Sequence, residues 1–507
     1  MDDPPPFIVT CDIGYVFELY ADFDRSGYYL PFPNAQKNKL FLADLVEHTP
    51  TLRAVFLDPW SLDPSQAKVK VTRKVAEHLA EVAKYLEKEN HSPELIAKFL
   101  MRCLFTMFAE DVDLLPDDMF TKTLEKVWIP HPKKFKLGIE TLWRAMNDGM
   151  PFGAIVDIPR FNGGLFADSS ALPLGPVGLE RLLEAAKCEW SDVEPAIFGT
   201  LLERALSEKE RHKLGAHFTP RAYVERLVRP TVEEPLRTEW ENVQTAVHKL
   251  QVDGKMDAAK DAVHAFHQTL CETRVLDPAC GSGNFLYVTM NIFKQIESEV
   301  LSLLADLGEK QEQLLRVTPK QFLGIEVKPW AKEIAELVLW IGYLQWHYRT
   351  HGKGMPPPVP VLQDFKNIEC RDAVLTWDGA PMAELLRDQK GKPIARWDGV
   401  TLKKSPITGE KVPDEAATLP VYTYPNPTRA QWPEAHFIVG NPPFVGNKRM
   451  RAALGDGYVE ALRTAHDDVP ETADFVMYWW NESAKRVGCR SSFIIREVCA
   501  PLKPPSS

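Results

Sequence analysis

The chain has 507 residues, enough for about three domains with a core each, and its 45% apolar content excludes an intrinsically disordered chain. Seventy Asp and Glu against sixty Lys and Arg leave a formal charge of −10, so a polyanionic partner has to be met by a local basic surface and not by the net field. Eight cysteines with no C-x-x-C pair exclude a zinc framework and a disulfide scaffold, and the acidic opening Met1-Asp2-Asp3-Pro4-Pro5-Pro6 is not a secretory leader.

Along the chain, the short apolar runs Phe7-Ile8-Val9 and Tyr15-Val16-Phe17, broken by Gly, Pro and Asp, predict a few strands over 7–60, too little for an independent domain. From 70 to 150 the apolar positions Val71, Val75, Leu79 and Val82 recur at helical spacing. Residues 151–175 read as a Pro/Gly-rich linker. A second helical block begins near Val177 and carries Gly215-Ala216-His217-Phe218-Thr219-Pro220-Arg221-Ala222-Tyr223. There Thr219 followed by Pro220 predicts a helix start with a hydroxyl cap and proline at the first helical position. Two helices over 232–251 and 256–271 form a hairpin turning at Asp253-Gly254.

Arg274-Val275-Leu276-Asp277-Pro278-Ala279-Cys280-Gly281-Ser282-Gly283-Asn284-Phe285-Leu286 then predicts a strand, a glycine-rich turn and a helix running to about 304. The glycines let backbone approach a ligand, and the helix start offers unpaired N–H groups, a geometry suited to a nucleotide or carboxylate-bearing cofactor. Leu286 fills the third place of a G-x-G-x-x-G pattern and no G-K-[ST] follows, so neither a dinucleotide fingerprint nor a P-loop is present. Phe322-Leu323-Gly324-Ile325-Glu326 is a second apolar strand ending in an acid, placed where a carboxylate accepts ribose hydroxyls. Lys328-Pro329-Trp330 opens the next helix, whose apolar stretch 335–346 is too short and interrupted for a membrane span and predicts a buried helix. A third apolar segment, Val359-Pro360-Val361-Leu362, precedes Asp372, which is in place to meet an adenine edge. The Pro- and Lys-rich stretch 388–434 reads as a loop insertion.

The strand-like run His436-Phe437-Ile438-Val439-Gly440 ends in Asn441-Pro442-Pro443-Phe444. The Asn441 side-chain oxygen and the Pro442 carbonyl can both accept from a planar exocyclic amine. Pro442 and Pro443 rigidify the turn, and Phe444 offers a face for a flipped base. Lys448, Arg449 and Arg451 follow directly, where phosphates flanking such a base would lie. A helix over 474–480 and a strand over 492–495 complete the periodic part.

This order of segments resembles the γ-class of N6-adenine DNA methyltransferases, and with the 111–120 and 161–166 segments it is similar to the spacer and methyltransferase part of single-chain type IIG/IIL restriction–modification enzymes. The resemblance implies an α/β fold: a Rossmann-like S-adenosylmethionine-dependent sheet without its last hairpin, preceded by a mostly helical spacer and a short β-rich N-terminal remnant. The domains are then a nuclease-like remnant over 1–69, a spacer over 70–175 and an incomplete methyltransferase over 176–507. It assigns Phe218, Thr219, Pro220, Asp277, Pro278, Ala279, Gly281, Gly283, Asn284, Phe285, Glu326 and Asp372 to S-adenosylmethionine, and Asn441, Pro442, Pro443 and Phe444 to catalysis. It further implies a cytoplasmic enzyme acting on double-stranded DNA, without metal, membrane or nuclease activity. The match ends after Ile495, so the expectation is weak, sequence-blind DNA binding and a separate target-recognition or defence-complex subunit. The alternatives are a non-catalytic cofactor-binding subunit and a protein glutamine N5-methyltransferase. Cys280 inside the glycine turn favours a reducing compartment.

Overall fold

A computed structural model describes residues 5–23, 29–33, 37–152, 156–161, 164–190, 193–195, 219–309, 316–351, 366–379, 384–397, 401–405, 410–486 and 493–494. At the amino end, β1 (Phe7–Asp12), β2 (Val16–Ala21), β3 (Leu30–Pro31) and β4 (Lys39–Phe41) form an antiparallel sheet. Phe7, Leu19, Leu40 and Val55, the last from helix α1 (Thr49–Leu57), give it a small core of its own. A lysine on β4, Lys39, reaches Asp306, far along the chain, at 3.2 Å.

Helices α2 (Pro64–Lys88), α3 (Pro93–Asp111) and α4 (Phe135–Asp148) follow, each with an apolar stripe at helical spacing. The stretch 151–175 is no free linker. Phe161 and Phe166 are fully buried against Phe105, and buried Arg102 donates to the carbonyls of Leu165 (3.1 Å) and Ser170 (2.6 Å) and to Asp168 (2.9 Å). Its glycines and prolines make irregular backbone, while its two phenylalanines anchor that backbone in the helical core. Helix α5 (Pro176–Ala186), which the division at residue 175 assigns to the methyltransferase, packs along α2.

The helical hairpin is present as α7 (Glu234–Val252) and α8 (Met256–Glu272), preceded by α6 (Arg221–Val228). The central sheet holds β5 (Val275–Asp277), β6 (Phe322–Glu326), β7 (Ile368–Cys370), β8 (Phe437–Val439) and β9 (Phe493–Ile494), all parallel, in the order β9-β8-β5-β6-β7. Helices α9 (Asn284–Asp306) and α10 (Pro329–His351) make the crossovers that parallel strands require. The third strand is Ile368–Cys370, immediately before Asp372; the more apolar segment 359–362 lies outside the described residues.

Alternation along the strands divides the interior in two. Val275, Phe322, Ile368, Phe437 and Val439 face a core shared with α9, α10 and the spacer helices, whereas Leu276, Ile325 and Ile438 face a second core. The second core is closed by α12 (Asp456–Ala465) and α13 (Val476–Arg486), which follow α11 (Asn447–Leu454). Both faces are covered, as an all-parallel sheet demands. Spacer and sheet therefore share one continuous core. No described helix is long and apolar enough to cross a membrane.

The insertion between β7 and β8 is not a loop. Nested antiparallel pairs, Glu384–Leu385 with Tyr422–Thr423, Ala395–Trp397 with Thr418–Pro420 and Leu402–Lys404 with Lys411–Pro413, build it into a projecting two-stranded arm.

Candidate active site at the carboxyl edge of the sheet

The strand order reverses between β5 and β8, the position at which open α/β sheets bind ligands beyond the strand ends. Because all five strands run the same way, the residues at the ends of β5, β6, β7 and β8 reach one edge. They are Asp277, Glu326, Asp372 and Asn441.

Asp277 is fully buried. Its Oδ1 accepts the Ala279 N–H at 3.0 Å, and its Oδ2 meets no donor among the described residues. Burial, with the Glu326 charge adding to it, lifts its pKa to about 8 against the opposing pull of the Ala279 N–H. Glu326 pins the glycine turn, accepting from the Gly281 N–H (3.0 Å) and the Lys328 N–H (2.9 Å), and burial also raises its pKa. The turn bends through Gly281 and Gly283 at φ of 53° and 79°, and a Cβ at Gly283 would meet the backbone of α10 at Ala335 Cα, 3.0 Å away. Pro278 is held from the other core by the Trp479 indole N–H, 3.0 Å from its carbonyl oxygen. Ala279 borders the second core, and buried Phe285 packs into the first.

Thr219 joins the two halves of the site. Its hydroxyl oxygen accepts the Asn441 Nδ2–H at 3.0 Å, and its carbonyl accepts the Asn284 Nδ2–H at 2.6 Å. It makes no cap for α6, whose N-cap is Pro220. The side chain that local sequence assigns to a helix start is directed instead at a residue 222 positions away. Phe218 and the preceding Gly215, Ala216 and His217 lie outside the described residues.

With their amide nitrogens engaged, Asn441 Oδ1 and Asn284 Oδ1 are buried acceptors with no donor among the described residues, as is Asp277 Oδ2. Gly440 lets these groups close up, because a Cβ there would lie 2.5 Å from Asp277 Oδ1. Pro442 is buried, Pro443 half-buried, and the Phe444 ring is 37% exposed at the end of the turn. An exposed ring beside buried acceptors suits a planar ligand that stacks and donates.

Asp372 lies at the same edge but is already engaged. Its Oδ1 accepts from the Val374 and Leu375 N–H groups at 2.8 and 3.0 Å, and its Oδ2 from the Tyr458 hydroxyl at 2.7 Å. The geometry makes Asp372 first a staple for the turn after β7. Of the three cations after the turn, Arg451 is paired with Asp456 and Glu460 on the neighbouring helix, which accounts for it without an external anion. Lys448 and Arg449 are exposed in the first turn of α11 and pair with no carboxylate among the described residues. Cations at a helix N-terminus oppose the helix dipole, so their position suits an incoming anion.

Among the described residues one group could hold a metal: His267, Cys271 and Glu297, with ligand atoms within 4.8 Å. The buried Lys294 ammonium lies 2.8 Å from Glu297 Oε2, and the Val317 N–H donates to Oε1 at 2.7 Å. A cation and a donor already satisfy that carboxylate, which reads as a buried ion pair within α9, with His267 of α8 3.4 Å from Oε1. Sequence reasoning missed the Thr219–Asn441 contact, Tyr458 on Asp372 and the close approach at Gly440, since each depends on a partner remote in the chain.

Residues 253–495 match the family model of the MmeI DNA-methyltransferase domain, and residues 94–166 match that of the MmeI helicase spacer domain. DNA methyltransferase A of Bacillus subtilis (strain 168) is 26% identical over 323 residues, 59% of this chain and 34% of that protein. A putative type II restriction enzyme and methyltransferase of Methanocaldococcus jannaschii is 27% identical over 325 residues, 54% of this chain and 27% of that protein. The chain thus spans about a third or less of the length of these curated relatives. Among solved structures, the type IIL restriction–modification enzyme MmeI in complex with DNA superposes with a TM-score of 0.58 at 24% identity, over 82% of this chain and 48% of that one, a likeness of fold. In order, the chain thus matches a helicase spacer domain and a DNA-methyltransferase domain of the MmeI type.

Proposed function

We propose that the chain transfers a methyl group from S-adenosylmethionine to the N6 amine of an adenine flipped out of double-stranded DNA, in a bacterial restriction–modification or phage-defence system. One observation carries this reading: Asn441 holds out a buried oxygen that meets no donor among the described residues, on a Pro-Pro turn at the carboxyl edge of a parallel sheet, next to an exposed phenyl ring. The cofactor fits the residues present, because the acceptor Asn284 Oδ1 calls for an N–H donor such as an ammonium, the buried Asp277 carboxyl lies beside the glycine turn, and the acid Glu326 closes the next strand.

When bound, S-adenosylmethionine supplies an electrophilic methyl group. The chain's task is then to make a poor nucleophile attack, since the adenine amine's lone pair is delocalised into the ring. Asn441 Oδ1 and the Pro442 carbonyl accept its two hydrogens, which favours a tetrahedral nitrogen and stabilises the positive charge that develops there. Phe444 stacks on the extruded base, and the Thr219 contact fixes the amide that receives it. Lys448 and Arg449 meet flanking phosphates. In this proposal 70–175 is the spacer and 176–507 the methyltransferase region, with α5 packed as part of the spacer, and a cytoplasmic setting keeps Cys280 as a thiol.

Two other readings make different predictions. Protein glutamine N5-methylation is disfavoured by Phe444, where those enzymes typically carry tyrosine, and by the spacer match. A non-catalytic cofactor-binding subunit is disfavoured by the complete Asn441–Phe444 turn. The test is transfer of labelled methyl groups by the purified chain, followed by digestion of the DNA to nucleosides. Asn441→Ala should lower transfer about 10²–10³-fold while leaving S-adenosylmethionine affinity nearly intact. Parental transfer by this variant would sink the mechanism. Label appearing on protein would favour the glutamine reading, and cofactor binding without transfer would favour the non-catalytic one.

A further inference from the structure

Beyond its root, where Tyr424 packs against the second core, the arm between β7 and β8 adds nothing to either large core. No described residue from 385 to 429 is buried, and an isolated two-stranded ladder is at best marginal in water. Its root is nevertheless firmly seated. The Tyr422 carbonyl lies so close to Gly457 that a side chain there would collide with it, and Arg429 donates to the Ala465 carbonyl at 2.9 Å. Both contacts are on α12, which packs against α11 and hence beside Lys448 and Arg449. The arm thus projects from the same edge as the catalytic turn.

Its outer ladder carries an unfavourable pairing. Lys404 stands directly opposite Lys411, which puts two ammonium groups on one face of the ribbon, and like charges so placed destabilise a strand pair. Neither lysine forms an ion pair among the described residues. The nearby acids serve the other face, where Lys403 lies 3.8 Å from Asp414 and 3.9 Å from Glu415. Lys390 and Lys392 are exposed in a side hairpin that the Arg387–Pro393 bridge closes. In a chain of net charge −10, a ribbon without a core that sets two uncompensated lysines side by side is built for an anion.

We propose that this arm is a phosphate-contacting clamp for the DNA duplex beside the target base, with Lys404 and Lys411 as its paired contacts. The inference rests on the DNA reading above and names a surface that reading did not include. Two cations side by side complement neighbouring phosphates of a duplex, and backbone contacts of this kind position a protein without reading sequence.

The experiment is equilibrium binding of the full chain to a mixed-sequence DNA duplex over a range of salt concentrations, for the parent and for K404Q/K411Q. Two lost phosphate contacts should reduce the slope of log K against log salt by about 1.8 and weaken binding roughly 60-fold at about 0.1 M salt. S-adenosylmethionine affinity, measured on the same samples, should not change, because both lysines are exposed on the arm and far in sequence from the glycine turn. Parental slope and affinity in the double variant overturn the clamp while leaving the methyltransferase reading intact. Failure of the parental chain to bind duplex at any salt concentration overturns both.

Discussion

Replacing Thr219 by valine tests how the amide of Asn441 is aimed. Thr219 is 8% exposed, and its hydroxyl oxygen is the acceptor for Asn441 Nδ2–H at 3.0 Å. Valine preserves the shape and puts a methyl group where that acceptor was. A buried N–H left without a partner costs about 1–3 kcal/mol. The amide can avoid this by rotating, which turns its NH₂ towards the site and presents a donor where the target amine needs an acceptor. At about 1.4 kcal/mol per tenfold, the productive orientation loses roughly 5- to 150-fold in population, and methyl transfer should fall by the same factor. Thr219→Ser, which keeps the hydroxyl, should restore most of the rate. Because Thr219 also lies in the segment assigned to the cofactor, the decisive comparison is made in an Asn441→Asp background. A carboxylate has two equivalent acceptor oxygens, so rotation no longer matters and the valine penalty should shrink to within about threefold, a coupling of the size seen between contacting residues. Single-turnover transfer to duplex DNA, with cofactor affinity measured separately, gives all four corners of the cycle. An equal loss in both backgrounds would refute the aiming role and leave Thr219 as a cofactor contact.

Glu326→Ala removes the acceptor for the Gly281 and Lys328 N–H groups and should weaken S-adenosylmethionine binding by roughly 1.5–3 kcal/mol by calorimetry; an unchanged affinity takes Glu326 out of the site. Asp277, whose pKa is lifted to about 8, holds in the folded chain a proton that the unfolded chain releases above about pH 4. The stability linked to that proton is fully present at low pH and is lost as pH rises towards 8. Asp277→Asn should therefore match the parent in thermal midpoint near pH 4 and exceed it increasingly up to about pH 8, and a difference independent of pH would contradict the buried neutral acid. Gly440→Ala places a Cβ 2.5 Å from Asp277 Oδ1 and should cost about 1–3 kcal/mol of stability together with methyl transfer; parental stability and rate would refute the close approach.

What the sequence allowed to be read, and what it hid, divides along physical lines. The strands Val275–Asp277, Phe322–Glu326 and Phe437–Val439 are apolar on both faces because both faces are buried, and such runs stand out in any window. Ile368–Cys370 is the edge strand of the sheet, with a half-buried Glu369 and an exposed Cys370, so its pattern is weaker than that of the proline-interrupted segment before it. The arm defeats pattern reading for a related reason: a ribbon with no core has no buried face to leave a period of two. The stretch 151–175 misleads through composition, since its Gly and Pro content describes irregular backbone and says nothing of Phe161 and Phe166 filling a pocket against Phe105. Thr219-Pro220 shows the limit most clearly. A hydroxyl before a proline is a sound local reason for a cap, and only tertiary structure supplies the competing partner, Asn441.

The same reasoning explains why one edge of the sheet is chemically unlike the rest of the molecule. Parallel register sets Asp277 opposite Gly324 and Glu326 opposite Cys370, so two acids close neighbouring strands on a single rim. Some buried polar groups elsewhere are paired, as Trp143 donates to Thr106 at 2.9 Å and Gln321 to two carbonyls at 2.8 and 2.9 Å, while others, such as Glu194 Oε1, meet no donor among the described residues. At the rim, Asp277 Oδ2, Asn284 Oδ1 and Asn441 Oδ1 find none among the described residues, and an acid is kept neutral by its own burial. Each orphaned acceptor works against stability. The amide oxygens beside one glycine turn and one proline turn are placed to receive donors from outside. The two amide oxygens are acceptors, which favours a ligand bearing ammonium and amine hydrogens over one bearing phosphate. The exposed ring of Phe444 beside them adds the condition that part of that ligand be flat.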